Sequence, residues 1–559
     1  MSRTFTFTLA FAIGTTSALG CTGATARDDA AVVDDAGRDA ALVADGGHDA
    51  GPAGSDSGSD ASPDAGNDAD VRDAWAGDAG ACAAGTYDDD GDPFTPCVAW
   101  TQCAAGQHVA SAGTATTNRT CVACETATFS TTTNAVSCTA WRTCDPTERE
   151  LTPGTPTSDR ICTSAAWTRQ FGSTNADGVD GLAVDASGNV LVAGHVVGVL
   201  PGQTNAGNYD AYVRKYAPDG TALWTHELGT IGSDSAYAVT SDSSANVFVV
   251  GRAASALPMQ TSAGGYDAFV RAYSPDGAEL WTRQFGTSSD DEAHAVSTDG
   301  SGNVYVAGCV VGALPGQSAV GNDDAFVRVY AADGTVTWTR QFGSSALDCV
   351  SGVSVGADGS VYVVGYTDGA LPGQTLVGMR DAFVRAYTAD GTERWTRQFG
   401  TSITTRASAV VVNASGVYVA GDAYGALPGQ TAINVADAYL RKYGADGTEL
   451  WTRQFGSMGT DVGYAVGADA SGLVYVFGNT DGALPGQTSL GAIDGFARTY
   501  AADGTAISTW QLGTPNADYA VAGAVAAAGA AYLGGYTYGT LPGQTRVGDL
   551  DSFIVRVAP

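Results

Sequence analysis

At one fixed place in a segment that is otherwise repeated seven times, this chain changes its chemistry from copy to copy. The residue after the glycine that closes a Val-rich stretch is in turn His195, Arg252, Cys309, Tyr366, Asp422, Asn479 and Tyr536. The loop after each Gln-Phe-Gly also varies, from 173–180 through 288–292 to 402–406. Variable side chains carried on a rigid scaffold are where binding usually sits. His195, Arg252, Tyr366, Asp422, Asn479 and Tyr536 are therefore the candidate ligand-binding residues, with drift at exposed positions as the alternative. His195, Asp422 and Tyr366 would also suit a hydrolase or lyase drawing groups from separate units, but nothing in the sequence puts them within hydrogen-bond reach. The chain has no His-Glu-x-x-His or Gly-Lys-Thr motif and only five histidines, so no catalytic residue is assigned and no enzyme is expected. No metal or cofactor is expected either, because turns such as Asp299–Asn303 need those residues for their backbone geometry. Cys309 and Cys349 belong to the two variable sets in neighbouring units. Two cysteines so placed in an oxidising compartment are expected to pair, the alternative being two buried thiols.

Those positions need a frame, and the sequence writes it seven times. A segment of about 57 residues recurs between Ala166 and Pro559. Trp-Thr-Arg-Gln-Phe-Gly starts at Trp167, Trp281, Trp338, Trp395 and Trp451, with variants at Trp224 and ending at Gly513. Leu-Pro-Gly-Gln starts at Leu200, Leu314, Leu371, Leu427, Leu484 and Leu541, with Leu-Pro-Met-Gln at Leu257. Asp-Ala-Phe or a close variant starts at Asp210, Asp267, Asp324, Asp381, Asp437, Asp494 and Asp551. Fixed-period self-similarity of this length means a solenoid, an array or a propeller, since one unit cannot bury its own apolar face. Each unit reads as four short strands separated by Asp-Gly and Gly-Asn turns, which favour hairpins because these residues accept positive φ. No stretch shows helical period. The predicted fold is all-β, a seven-bladed propeller, with an open solenoid as the alternative.

The repeat region begins with an isolated strand at Trp167 and ends with another at Asp551. If these two lie side by side, every blade has four strands and no edge stays open. The second-to-third and fourth-to-first connections then emerge on one face, which gathers both variable sets there. The Asp of Asp-Ala-Phe-Val-Arg recurs in all seven units and the Arg in six (Asp324 with Arg328, Asp381 with Arg385), so they are assigned to packing. Four residues apart on a strand they share a face, which suggests a ladder of ion pairs.

Ahead of the repeats, the apolar run from Phe5 to Gly20 behind Arg3 is too short for a membrane span and suits an export signal. It resembles a bacterial lipoprotein signal, which would make Cys21 the lipidated first residue of the mature chain, although Ala18 stands where such signals usually carry leucine. Residues 22–81 hold 14 Asp and 3 Arg among Ala, Gly and Ser. Such a segment cannot bury enough surface to offset its ordering entropy and reads as a disordered tether. The net charge of −32, with two lysines in all, disfavours nucleic acid as a partner.

Eight of the eleven cysteines lie between Cys82 and Cys162 in two copies of about 41 residues. Their even number in a loop-rich, exported segment argues for disulfides over zinc. Cys82-x-x-Gly-x-Tyr, the gap from Cys97 to Cys103 and the Thr-rich run ending at Cys121 or Cys162 resemble the cysteine-rich modules of tumour necrosis factor receptors. That resemblance implies the pairs Cys82–Cys97, Cys103–Cys121, Cys124–Cys138 and Cys144–Cys162, with one bridge of the family absent. The large repeat resembles the SBBP-type β-propeller repeats of exported bacterial proteins, through Val-Tyr-Val-Ala-Gly at Val304, Asp-Ala-Phe-Val-Arg at Asp324, and Ala-Asp-Gly-Thr before the Trp phrase. The expected organisation is a signal (1–21), a tether (22–81), two cysteine-rich modules (82–163) and a propeller (164–559). The expected protein is a monomer in the cell envelope, outer-membrane-anchored or extracellular. It would touch the membrane through its lipid alone and bind a protein or glycan, unless it is a structural envelope protein without a ligand.

Overall fold

The computed structural model describes residues 82–92, 95–144, 148–164 and 166–557, and the readings of signal, Cys21 and tether lie outside them. Among the described residues every regular element is a strand. In the cysteine-rich segment, Cys82–Cys97, Cys103–Cys121 and Cys124–Cys138 are disulfides with Cα separations of 5.8, 5.4 and 5.7 Å. Cys144 is also disulfide-bonded, whereas the side chain of Cys162 lies outside the described ones. Each module centres on one tryptophan. The guanidinium of Arg119 covers Trp100 at 5.3 Å and that of Arg160 covers Trp141 at 5.4 Å. Two indoles are a small core, and the bridges supply the constraint that it cannot.

Seven four-stranded antiparallel sheets follow. Blade 3 is typical: an inner strand Asp291–Thr298, then Val304–Val311, Asp323–Tyr330 and an outer strand Val336–Phe342. The other inner strands are Asp177–Val184, Ser235–Ser241, Asp348–Val355, Thr405–Asn413, Asp461–Ala468 and Asp518–Val525. Blade 7 takes its outer strand, Thr168–Phe171, from the opposite end of the repeat region. Phe171 there pairs with Ser552, Gln170 with Phe553, Arg169 with Ile554 and Thr168 with Val555. The wheel is closed and has seven blades.

The three repeated phrases form one hydrogen-bonded clasp within each blade. In blade 3, Gln341 Nε2 donates to Asp324 Oδ2 (2.7 Å), while Gln341 Oε1 accepts from the backbone of Leu314 (2.9 Å). Gln317 Oε1 accepts from the Gln341 backbone (3.0 Å), and Asp324 also takes the amides of Val320 and Gly321. Asp324 is fully buried, so its carboxylate needs these donors; leaving any one of them unmet would cost about 1–3 kcal/mol. The glycine after each Gln-Phe is set by the same crowding. A Cβ on Gly286 would lie 2.5 Å from Asp291 Oδ2 and 2.6 Å from Asp267 Oδ1.

A second device joins neighbouring blades. Trp281 Nε1 donates to Ala332 O (2.9 Å) and Arg283 Nε to Gly334 O (2.9 Å), both on the turn between the third and outer strands of the next blade. Gly334 has φ +77°, and a Cβ there would lie 2.8 Å from the Trp281 ring, so turn and indole fit only with glycine. Blade 7 has no such turn, because its outer strand comes from elsewhere in the chain. The blade 6 phrase that would grip it has degenerated, with Ser508 where the others carry tryptophan.

The expected ladder between Asp324 and Arg328 does not form. Arg328 Nε donates to Thr339 Oγ1 (3.0 Å), and its guanidinium lies 4.3 Å from the ring of Phe285 in the previous blade. Four residues of strand span roughly 13 Å, so a shared face brought the two groups into line but not into reach. Arg385 repeats the arrangement on Thr396 and Phe342.

Two predictions follow from closure and from the clasp. Deleting 166–171 opens the edge of Asp551–Val557, and size-exclusion chromatography should then show oligomers or aggregate in place of a discrete folded species. Blade 1 carries Glu227 where the other blades have glutamine, so the clasp faces Asp210 with a second carboxyl. Burial, with Asp210 and Asp177 close by, raises its pKa. A raised acid favours folding at low pH and loses that contribution as pH climbs through the folded value. Glu227→Gln should therefore stabilise the fold by about 1–2 kcal/mol in mildly alkaline denaturation experiments, with a gain that shrinks below the ordinary glutamate range.

Candidate functional site

The inner strands line the central channel, and each is broken by a bulge at the same repeat position. In blade 1, Val179 faces Gly194 and Gly181 faces Ala193, so that Asp180 is left unpaired between them. The bulged residues are Asp180, Tyr237, His294, Ser351, Ser408, Tyr464 and Val521. A bulge re-aims its side chain out of the pleat, and six of the seven, Ser408 excepted, border a cavity of about 500 Å³ at the channel mouth. Cys349, Tyr366 and Tyr536 complete its wall. The channel leading from it, about 400 Å³, is lined by the seven inner strands. Most of the residues flanking the bulges are Ala or Gly because neighbouring backbones touch: a Cβ on Gly181 would lie 2.8 Å from the Cα of Ala238.

The seven second-strand positions lie beside this ring, and each meets a residue of the next inner strand or its own. His195 Nδ1 is 2.7 Å from Asp180 Oδ2. Arg252 reaches across the junction to Glu292, which also lies 3.2 Å from His294 Nε2. One junction further on, the same pair of positions holds the disulfide Cys309–Cys349. Asn479 Oδ1 accepts from the Ala520 backbone across its own junction (2.5 Å). Tyr366 lies 4.3 Å beneath the guanidinium of Arg380, which forks onto Asp368 at 2.6 and 2.9 Å. Tyr536 stacks on Tyr519 at 4.9 Å, and Tyr237 on His294 at 5.1 Å.

Of the six residues singled out in the sequence, Tyr366 and Tyr536 border the cavity. His195 and Arg252 stand on its rim, each about a quarter exposed. Asp422 and Asn479 are buried, so neither offers a ligand a surface in this conformation. Neither oxygen of Asp422 has a hydrogen-bond partner, and burial pushes its pKa up to about 6 against the pull of Arg406 and Arg380. His195, Asp422 and Tyr366 are not joined by any hydrogen bond; His195 is engaged with Asp180 and Tyr366 with Arg380. The bulged ring was missed because it interrupts a strand and its residues share no chemistry. Its signal is nonetheless in the sequence as a small residue on each side of a variable one, as in Ala236-Tyr237-Ala238, Ala293-His294-Ala295 and Ala407-Ser408-Ala409.

Around the mouth the loops are apolar. The residue six places after the Leu of Leu-Pro-Gly-Gln is Val320, Val377, Ile433, Leu490 and Val547 in five successive blades, between 42 and 55% exposed. Ile231, Ile403 and Met458 join them from the connections between blades. The turns of the opposite face carry aspartates instead, among them Asp219, Asp333, Asp390 and Asp503.

A family profile described as the SBBP β-propeller repeat matches residues 280–308, and one described as the TNFR/NGFR cysteine-rich region matches 82–121 and 124–162. The wheel carries the SBBP repeat, and two TNFR-type modules precede it. Over 415 residues the chain is 26% identical to the regulatory protein FlaEY of Caulobacter vibrioides, covering 64% of this chain and 43% of that protein, less than half its length. Among solved structures it is similar to the WD40 propeller domain of Doa1 (11% identity, TM-score 0.39, 70% of this chain and 97% of that one). It is also similar to the Pan2 WD40 domain of Neurospora crassa (9%, TM-score 0.34, 58% and 89%). The disulfide-rich modules are of a type suited to an extracellular or envelope compartment.

The rim makes one electrostatic prediction. Burial works against the charged form of His195, but Asp180 outweighs it and raises the pKa above the usual imidazole value. The stabilisation from this pair is present below the unfolded value and fades as pH rises through the folded one. Asp180→Asn should move the His195 titration, followed by its ring resonances in NMR, to or below the ordinary imidazole range.

Proposed function

We propose that the mouth face of this propeller is a binding surface, displayed by an exported and lipid-anchored protein, and that it captures a ligand without turning it over. The observation that carries the reading is the division of labour among repeat positions. Residues that recur from blade to blade are consumed by clasps and latches, whereas most of the varied ones gather at a single mouth as tyrosine, arginine, histidine and carboxylate. Tyrosine and arginine are the side chains that most often anchor interfaces, since they give large contact area for little lost freedom. The exposed Val, Ile and Leu ring around the mouth favours a protein ligand, because contiguous apolar surface on a soluble face marks interaction sites. The tyrosine-lined cavity favours the second reading, a glycan whose end enters the mouth. The similar Caulobacter protein is described as regulatory, and regulation by capture of a partner would use such a face.

Arrays of proteins and glycans probed with the purified chain test this directly. A specific ligand is the expected outcome; silence would favour a structural envelope protein, and consumption of a spotted compound would favour a hydrolase or lyase. Replacing Tyr366, Tyr464 and Tyr536 together by alanine should weaken the interaction at least ~10-fold, each anchor being worth about 1 kcal/mol or more. Unchanged binding by a correctly folded triple variant would move the site away from the mouth.

A further inference from the structure

One junction of the wheel differs from the other six in holding a set of metal-donor atoms. His294 is the bulged residue of blade 3's inner strand, and Cys309 lies on the second strand of the same blade, directly opposite Glu292. Cys349 enters from the inner strand of blade 4. The donor atoms of His294, Cys309 and Cys349 all lie within 4.8 Å of one another. Glu292 Oε2 lies 3.2 Å from His294 Nε2. His294 and Cys349 both border the mouth cavity, so a small solute has a path to the cluster.

The bridge itself is not what holds the wheel together. The same pair of positions is the Arg252–Glu292 ion pair one junction earlier, and at another junction Asn479 meets the next inner strand one residue further on, at the Ala520 backbone. The junction between blades 3 and 4 is latched elsewhere, where Trp338 Nε1 meets Ala389 O at 3.0 Å and Arg340 Nε meets Gly391 O at 2.8 Å. Opening the disulfide would therefore leave the blades in place and turn two spent sulfurs into ligands.

We propose that Cys309, Cys349 and His294 form a redox-gated site for a thiophilic cation of the zinc type, with Glu292 or water as the fourth ligand. Oxidised, the site is closed, because each sulfur is bonded to the other. A thiol reductant opens it: its thiolate attacks one sulfur and expels the other cysteine as thiolate, and a second reductant thiol then releases the first cysteine. The reductant leaves as a disulfide, having given up two electrons, and the protein holds two thiols. Binding of the divalent cation displaces one proton from each thiol and uses the neutral imidazole nitrogen. Two thiolates, an imidazole and an oxygen make a tetrahedral set suited to zinc. This site is independent of the mouth's proposed ligand and stands whether or not that ligand exists.

The test uses the full chain, reduced with dithiothreitol, desalted without air and titrated with zinc alone against a chromophoric chelator. Thiols of the cysteine-rich modules are also exposed to reductant, so the reference is a Cys309→Ser/Cys349→Ser variant treated identically. The expected result is one zinc per chain more than this reference and more than the unreduced wild type, with His294→Ala weakening it ~10-fold or more, at least what an outer partner is worth. Cobalt in place of zinc should give a thiolate charge-transfer band absent from the double variant. Equal zinc uptake by wild type and double variant, equal uptake with the bridge intact, or a bridge that cannot be reduced while circular dichroism still reports the folded wheel would each overturn the proposal. Should the double variant not fold, the His294→Ala comparison decides alone, and unchanged affinity there overturns it.

Discussion

An antiparallel sheet with a free edge is an unfinished structure, and this wheel depends on four residues that finish it. Thr168–Phe171 supplies the outer strand of blade 7 from the far end of the repeat region. It does everything a regular outer strand does. Gln170 enters the blade 7 clasp, donating to Asp551 Oδ2 at 2.8 Å and accepting from the Leu541 backbone at 2.9 Å. Trp167 and Arg169 latch onto the turn of blade 1, at Pro218 and Gly220. With the ring shut, all seven inner strands are held at one radius, which fixes the width of the channel and brings the bulged residues to a common mouth.

Two sets of polar contacts share the work between them. The clasp spends Asp, Gln and loop amides inside a blade, and the latch spends Trp, Arg and a glycine turn between blades. Each bond is worth only about 1 kcal/mol net, but the repetition makes them cooperative with the apolar layers that lie between sheets. Because these recurring groups already have partners, the positions that vary are released from structural duty. The exception proves instructive in blade 1, where Glu227 replaces glutamine and the clasp acquires a second buried carboxyl.

The mouth shows how one backbone geometry accepts unrelated chemistry. A cross-junction pair of positions is an ion pair at Arg252–Glu292 and a disulfide at Cys309–Cys349, while Asn479 accepts from the Ala520 backbone one residue further along the next inner strand. The backbone separation is set by the ring, and any pair of side chains that spans it is tolerated. Such tolerance is what allows a scaffold of fixed shape to carry a site that is not symmetric.

The blade count, the four-strand unit, closure through Thr168–Phe171 and the face on which the variable residues gather were all legible in the sequence. They follow from turn residues and from a repeat period, which are local properties written into consecutive positions. Apart from the Cys309–Cys349 bridge, side-chain contacts that cross a junction were not legible. Asp324 and Arg328 share a strand face, yet Arg328 lies on Phe285 of the preceding blade, a partner that only the curvature of the wheel brings near. Asp422 and Asn479 looked like surface groups, yet both are buried, and Asn479 accepts from the backbone of the next inner strand at Ala520. The bulged ring was hidden for the same reason: an extra residue in a strand has no preferred chemistry of its own, and where it points is decided by the two strands that pass it and by the closed ring that aims all seven at one channel.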